Sequence, residues 1–96
     1  MHRKLLGLAV AMTALASIFT AAEAQETKTI GVSIPAADHG WTAGVVYHAN
    51  RVAELLMKEH PGLNVIVKTS PDPATQATAV QDLEIQGIDA LVILPT

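Results

Sequence analysis

Ninety-six residues leave room for one small domain, and the absence of cysteine removes disulfides and thiolate metal sites as means of holding it together. Six Lys and Arg against nine Asp and Glu give a formal charge of −3, which disfavours nucleic acid or an anionic membrane face as partner, since either calls for clustered cations. A chain this short buries only about 60% of its unfolded surface, so it reads as the opening of something longer.

Arg3 and Lys4 precede an almost unbroken apolar run from Leu5 to Phe19, and Ala22-Glu23-Ala24 supplies the small residues a signal peptidase needs at −3 and −1. Residues 1–24 are therefore expected to be a cleaved secretory signal that sends residues 25–96 to the periplasm. A membrane anchor would need roughly 20 apolar residues where about 15 are present. Loss of the leader removes Arg3, Lys4 and Glu23 and moves the formal charge from −3 to −4.

Thr29–Ile34 is the first expected strand, with Ile30, Val32 and Ile34 on one face and Thr29, Gly31 and Ser33 on the other. Small residues on the second face imply that something packs close to it. After Pro35, the loop around Asp38–Gly40 leads into a helical pattern from Trp41 to His60. Trp41, Val45, His48 or Ala49, Val52 and Leu56 fall at steps of three or four and make an apolar stripe that Val46, Ala53 and Leu55 widen. Pro61-Gly62 stops the helix.

Leu63–Thr69 is a second strand, and its successive Val65, Ile66 and Val67 predict burial on both faces, as a parallel sheet requires. Ser70-Pro71-Asp72-Pro73 is a turn that ends in a helix start, with Asp72 as cap and Pro73 at the first helical position. The helix runs to about Gln86 with Ala77, Val80 and Leu83 inward and Gly87 closing it. Ile88–Leu94 is the third strand. The order β-α-β-α-β with short connections predicts an α/β fold on a parallel sheet. An apolar last strand would have a bare outer edge, so the sequence reads as truncated.

In open α/β sheets ligands sit outside the carboxyl ends of the strands, which points to the first loop. That loop lacks the glycine patterns of a phosphate cradle, G-x-G-x-x-G or G-x-x-x-x-G-K-[ST], and offers one indole, one carboxylate and one imidazole instead. Trp41 is either the first core residue of the helix stripe or a platform for the C–H face of a sugar ring. Asp38 is either the helix cap or a carboxylate that accepts from two neighbouring hydroxyls. His39 is a solvated loop residue or a second hydroxyl partner. No metal site is expected: Asp38 and His39 make two ligands at most, and His48 and His60 lie too far along the helix to join them. No G-x-S-x-G elbow is present, and Ser33 lies within a strand, so no catalytic residue is assigned. Asp82, Glu84 and Asp89 read as solvated carboxylates, and Tyr47, His48 and Arg51 as helix surface.

The secretory leader, the run Lys28-Thr29-Ile30-Gly31-Val32-Ser33-Ile34-Pro35, Gln81-Asp82-Leu83 with Gly87 four residues on, and Ile88-Asp89-Ala90-Leu91-Val92-Ile93-Leu94-Pro95-Thr96 together resemble the N-terminal lobe of periplasmic sugar-binding proteins of the ribose-binding type. The resemblance covers residues 28–96. It implies a type I periplasmic-binding-protein lobe, of which residues 25–96 are the first part, and a non-enzymatic receptor without cofactor that delivers a sugar or polyol to an ABC-transporter permease. Closure of two lobes around the ligand would give the permease a form to recognise. In that family the first loop resembles Asn-Pro-Phe-Phe and contacts the sugar. His39 matches its second polar residue, Trp41 its first aromatic and Thr42 its second, with Asp38 just before. Gly40 stands where proline is usual, and only one of two aromatics is kept. Asp38, His39, Trp41 and Thr42 are thus the expected ligand-binding residues. A sensory or quorum-signal receptor of the same fold, or an exported α/β enzyme with its catalytic part elsewhere, are the alternatives.

Overall fold

The computed structural model describes residues 26–96, so the expected leader lies outside the described residues. The elements are β1 (Lys28–Pro35), α1 (Gly40–Glu59), β2 (Leu63–Ser70), α2 (Pro73–Ile85) and β3 (Ala90–Ile93). All three strands are parallel in the order β2-β1-β3. This is the α/β arrangement the alternating pattern requires, and it is consistent with the β-α-β-α-β opening of a type I lobe. The third strand is shorter than its apolar run, because Ile88 and Asp89 serve the approach to it. Asp89 donates its N–H to the Thr29 carbonyl at 2.8 Å, and its carboxylate takes the Thr29 N–H at 2.8 Å.

The two helices lie on opposite faces. Ala49, Val52, Ala53 and Leu56 of α1 face Ile30, Val32, Val65 and Val92 across an apolar cavity of about 280 Å³. On the other face a Cβ at Gly31 would lie 3.1 Å from Leu83 Cδ1 of α2 and 3.0 Å from Ile88 Cδ1. The small face of β1 thus lets α2 sit close, as the alternation implies. Gly62 and Gly87 close the two helices with φ of +100° and +80°, values that side-chain-bearing residues avoid. At the start of α2, Asp72 caps as expected, accepting from the Thr75 N–H at 2.7 Å.

Two inward stripes differ from the sequence reading. On α1 the buried residues are Thr42 and Ala53, with Gly44, Val45, Val46, Ala49, Leu56 and Met57 half-buried. The stripe keeps Val45, Ala49, Val52 and Leu56 but begins at Thr42 rather than at Trp41, which is 65% exposed. Alanine at two of these positions lets the helix approach the sheet, and the Thr42 hydroxyl is satisfied where it is buried. On α2, Gln76 and Leu83 are buried while Ala77 is exposed. A polar side chain takes the position that hydropathy gives to alanine, because its amide has partners there.

Leu91, Val92 and Ile93 stay between 40 and 55% exposed, and one edge of β3 has no strand beside it among the described residues. No helix among those residues is long and apolar enough to cross a membrane.

Candidate functional site

A parallel sheet sends all its strand ends in one direction, so the carboxyl ends of β1, β2 and β3 meet on one edge. With the order β2-β1-β3 the chain reverses its direction of growth at β1, which makes the β1/β3 junction a topological switch point, where such sheets leave a crevice. A cleft of about 250 Å³ lies there. Pro35, Ala36, Asp38, His39 and Thr42 line it from the first loop, Ser70 and Pro71 from the end of β2, and Pro95 and Thr96 from beyond β3.

The first loop is ordered by its own polar groups. Ala36 donates to the Ser70 carbonyl at 2.9 Å and carries the β1–β2 ladder one step past the sheet. His39, in extended backbone, is the residue that enters α1, so Asp38 stands one position before the cap. The His39 N–H donates to Thr42 Oγ1 at 3.3 Å, and the Thr42 hydroxyl lies 3.0 Å from Asp38 Oδ1 and 3.0 Å from the His39 carbonyl. One hydroxyl proton serves one acceptor at a time. Thr42 is 4% exposed, so this group acts from below the surface and aims the Asp38 carboxylate rather than meeting solvent itself.

Asp38 and His39 form the wet rim. Their side chains are 69% and 63% exposed, with His39 Nε2 3.5 Å from Asp38 Oδ1, an ion pair when the imidazole is protonated. An exposed pair of this kind adds little stability. Its value to the site is chemical: one carboxylate that accepts, one ring that donates or accepts, and no lysine or arginine in the lining. Such a cleft suits neutral hydroxyl-bearing molecules and disfavours phosphates and carboxylates, whose charge would face Asp38 unpaired.

Of the four residues expected to bind ligand, Asp38, His39 and Thr42 come together in the cleft. Trp41 does not line it. Its indole stands on the adjacent shoulder, over a shallow hollow of about 550 Å³ shared with Gly40, Gly44, Val45 and His48. The core alternative for Trp41 is thereby corrected, since an indole 65% exposed holds no core position. The helix-cap alternative for Asp38 is corrected as well, because its carboxylate takes a side-chain hydroxyl and no backbone N–H of α1. His48 and His60 contribute nothing to the cleft, and no cluster of three or more metal-ligating side chains occurs among the described residues.

No protein-family model matches the chain, and no curated protein matches it significantly. What the cleft does is therefore read from its own geometry.

Residue type marks none of Ser70, Pro71, Pro95 and Thr96 as a site residue. The signal that finds them is topological: each directly ends or follows a strand, at the edge where a parallel sheet collects its ligand contacts. The Ser70 and Ser33 hydroxyls are buried without a hydrogen-bond partner, one lining the cleft and one two register positions below it on β1. Neither was legible from spacing alone.

Proposed function

We propose that the protein is an exported solute-binding protein that holds a sugar or related polyol in the cleft at the strand ends and delivers it to an ABC-transporter permease in the inner membrane. Residues 25–96 form part of one of two lobes that close on the ligand. The observation that carries this reading is the composition of the cleft at the switch point. An aimed carboxylate, an imidazole and proline walls occur there without lysine or arginine. Asp38 accepts from two vicinal hydroxyls, His39 takes a third, and Thr42 holds the carboxylate in place. The exposed indole of Trp41 stacks on the apolar face of the ring at the shoulder of the cleft. The leader-like residues 1–24 and the family resemblance of residues 28–96 supply the cellular setting.

The test is intrinsic fluorescence of the protein purified from the periplasm, titrated with pentoses, hexoses and polyols. Trp41 is the single tryptophan in these 96 residues. A saturable change with one sugar, abolished in Trp41→Phe, supports the reading and names the ligand class. A folded protein with no response to any sugar overturns it.

A further inference from the structure

The third wall of the cleft is not held by the sheet. In a parallel ladder, a residue that donates to the carbonyl of residue i on its neighbour accepts from the N–H of residue i+2. Leu94 donates to the Ser33 carbonyl at 3.0 Å, so its own carbonyl is due the N–H of residue 35. Residue 35 is proline, which has none. The β1–β3 ladder therefore stops one bond short, at the point where the chain enters the cleft as Pro95-Thr96.

The missing donor comes from a helix. Gln76 of α2 is only 6% exposed, and its Nε2 donates to the Leu94 carbonyl at 2.9 Å while its Oε1 accepts from the Thr96 N–H at 3.0 Å. One side-chain amide thus does what the next residue of a neighbouring strand would do, giving a donor and an acceptor to the segment that carries Pro95. Both cleft residues of the third wall, Pro95 and Thr96, sit within or directly beside this pair of bonds.

We propose that Gln76 is a positioning residue of the binding site. It touches no ligand, yet it ties the Leu94–Thr96 wall to α2 where the ladder to β1 has stopped, and so sets affinity. This inference rests on the reading of the cleft as a ligand site. Its chemistry is asymmetric: a carboxylate in place of the amide still accepts from Thr96 but turns an acceptor towards the Leu94 carbonyl. Protonation of that carboxyl restores the donor.

The experiment compares wild type with Gln76→Glu and Gln76→Met, using two readouts. One is the Thr96 amide resonance in ¹⁵N-labelled protein. The other is affinity for the sugar that gives the largest fluorescence response in the wild type, read at about pH 7.5 and about pH 5, either side of the range expected for a glutamate raised by burial. The other titratable groups near the segment are Lys68 at the Ser33 register, Asp72 one turn before Gln76 on α2, and Asp38 and His39, which line the same cleft as Pro95 and Thr96. They are common to all variants, so affinities are compared as ratios to wild type at each pH. Expected is a fivefold to tenfold weakening in Gln76→Glu at about pH 7.5, the scale of one lost hydrogen bond, with recovery at about pH 5. Gln76→Met stays weak at both. Adding Pro35→Ala to Gln76→Met, which returns the N–H that β1 lacks, recovers part of the loss.

Equal affinity of wild type and Gln76→Glu at neutral pH overturns the proposal, and so does a loss that acid leaves unchanged. If the wild type binds no sugar at all, the proposed function fails, and the clamp is judged by the Thr96 resonance. A shift in Gln76→Met that Gln76→Glu reverses with acid upholds the clamp; an unmoved resonance removes it.

Discussion

Gly31→Ala tests how tightly α2 is seated on β1, and through α2 where Gln76 stands. A methyl at this position would meet Ile88 Cδ1 at 3.0 Å, Leu83 Cδ1 at 3.1 Å and Ile88 Cγ2 at 3.3 Å. Leu83 is fully buried and Ile88 half-buried, so one of these side chains or α2 itself must shift. Overpacking of this sort costs about 1–3 kcal/mol, and the stiffer unfolded chain of alanine offsets about 0.4–1 kcal/mol of it. A net loss of about 1–2 kcal/mol is a large share of the stability of a domain this small. Ile88→Val alone costs about 0.5–1.5 kcal/mol, but it removes the methyl nearest the new Cβ. The double variant is therefore expected to be about as stable as Gly31→Ala, with a coupling of about 1 kcal/mol. Urea unfolding followed by far-UV circular dichroism reads this as midpoints at constant slope. Single losses that add to within about 0.3–0.5 kcal/mol would show that the two groups do not meet.

Thr42→Val keeps the shape of the buried side chain and removes the hydroxyl that links Asp38 to the His39 N–H. A loss of about 1–2 kcal/mol in urea unfolding is expected, with weaker sugar affinity; unchanged values in both would mean that Asp38 needs no support. Trp41→Ala is expected to leave stability within about 0.5 kcal/mol, because the indole is largely exposed, and to weaken sugar binding at least tenfold by calorimetry. Asp72 is held below its ordinary pKa of 3.8 by the Thr75 N–H and hydroxyl. Its folded-state pKa is depressed, so its contribution is present above the unfolded value and fades as pH falls through the folded one. Asp72→Asn, which still caps, should remove that part of the acid-side slope of the melting temperature. An unaltered slope would exclude Asp72 as its source.

Strand and helix were legible because the apolar period changes from two to nearly four between Ile34 and Val45, and because proline and glycine stand at the breaks. The faces were less so. Hydropathy favours Trp41 over Thr42 as an inward residue, but only the threonine has partners that satisfy it where it is buried. The same holds for Gln76 against Ala77: a glutamine on a helix reads as surface unless the carbonyl it serves is known. Asp38 and His39 could be picked out because a single loop joins strand end to helix start. Ser70 and Thr96 could not, since they become their neighbours only through the order β2-β1-β3, which local sequence does not encode. In the sequence Pro35 marks only where the first strand gives way to the loop. Its larger effect, a gap in the ladder towards β3, needs the register to be seen.

The central position of β1 also bears on how the molecule assembles in time. Pairing β1 with β2 spans one helix, whereas pairing it with β3 joins residues such as Thr29 and Asp89 across a separation of 60. Closing the longer loop costs more chain entropy before any contact rewards it. The β1-α1-β2 unit is thus expected to form first, and β3 to join only when α2 already lies in place to meet it. Because Pro35 leaves the last bond to Gln76, the Leu94–Thr96 segment is expected to lock last. In stopped-flow refolding, recovery of ligand binding should lag behind recovery of helical signal, which makes the ligand a reporter of the slowest step.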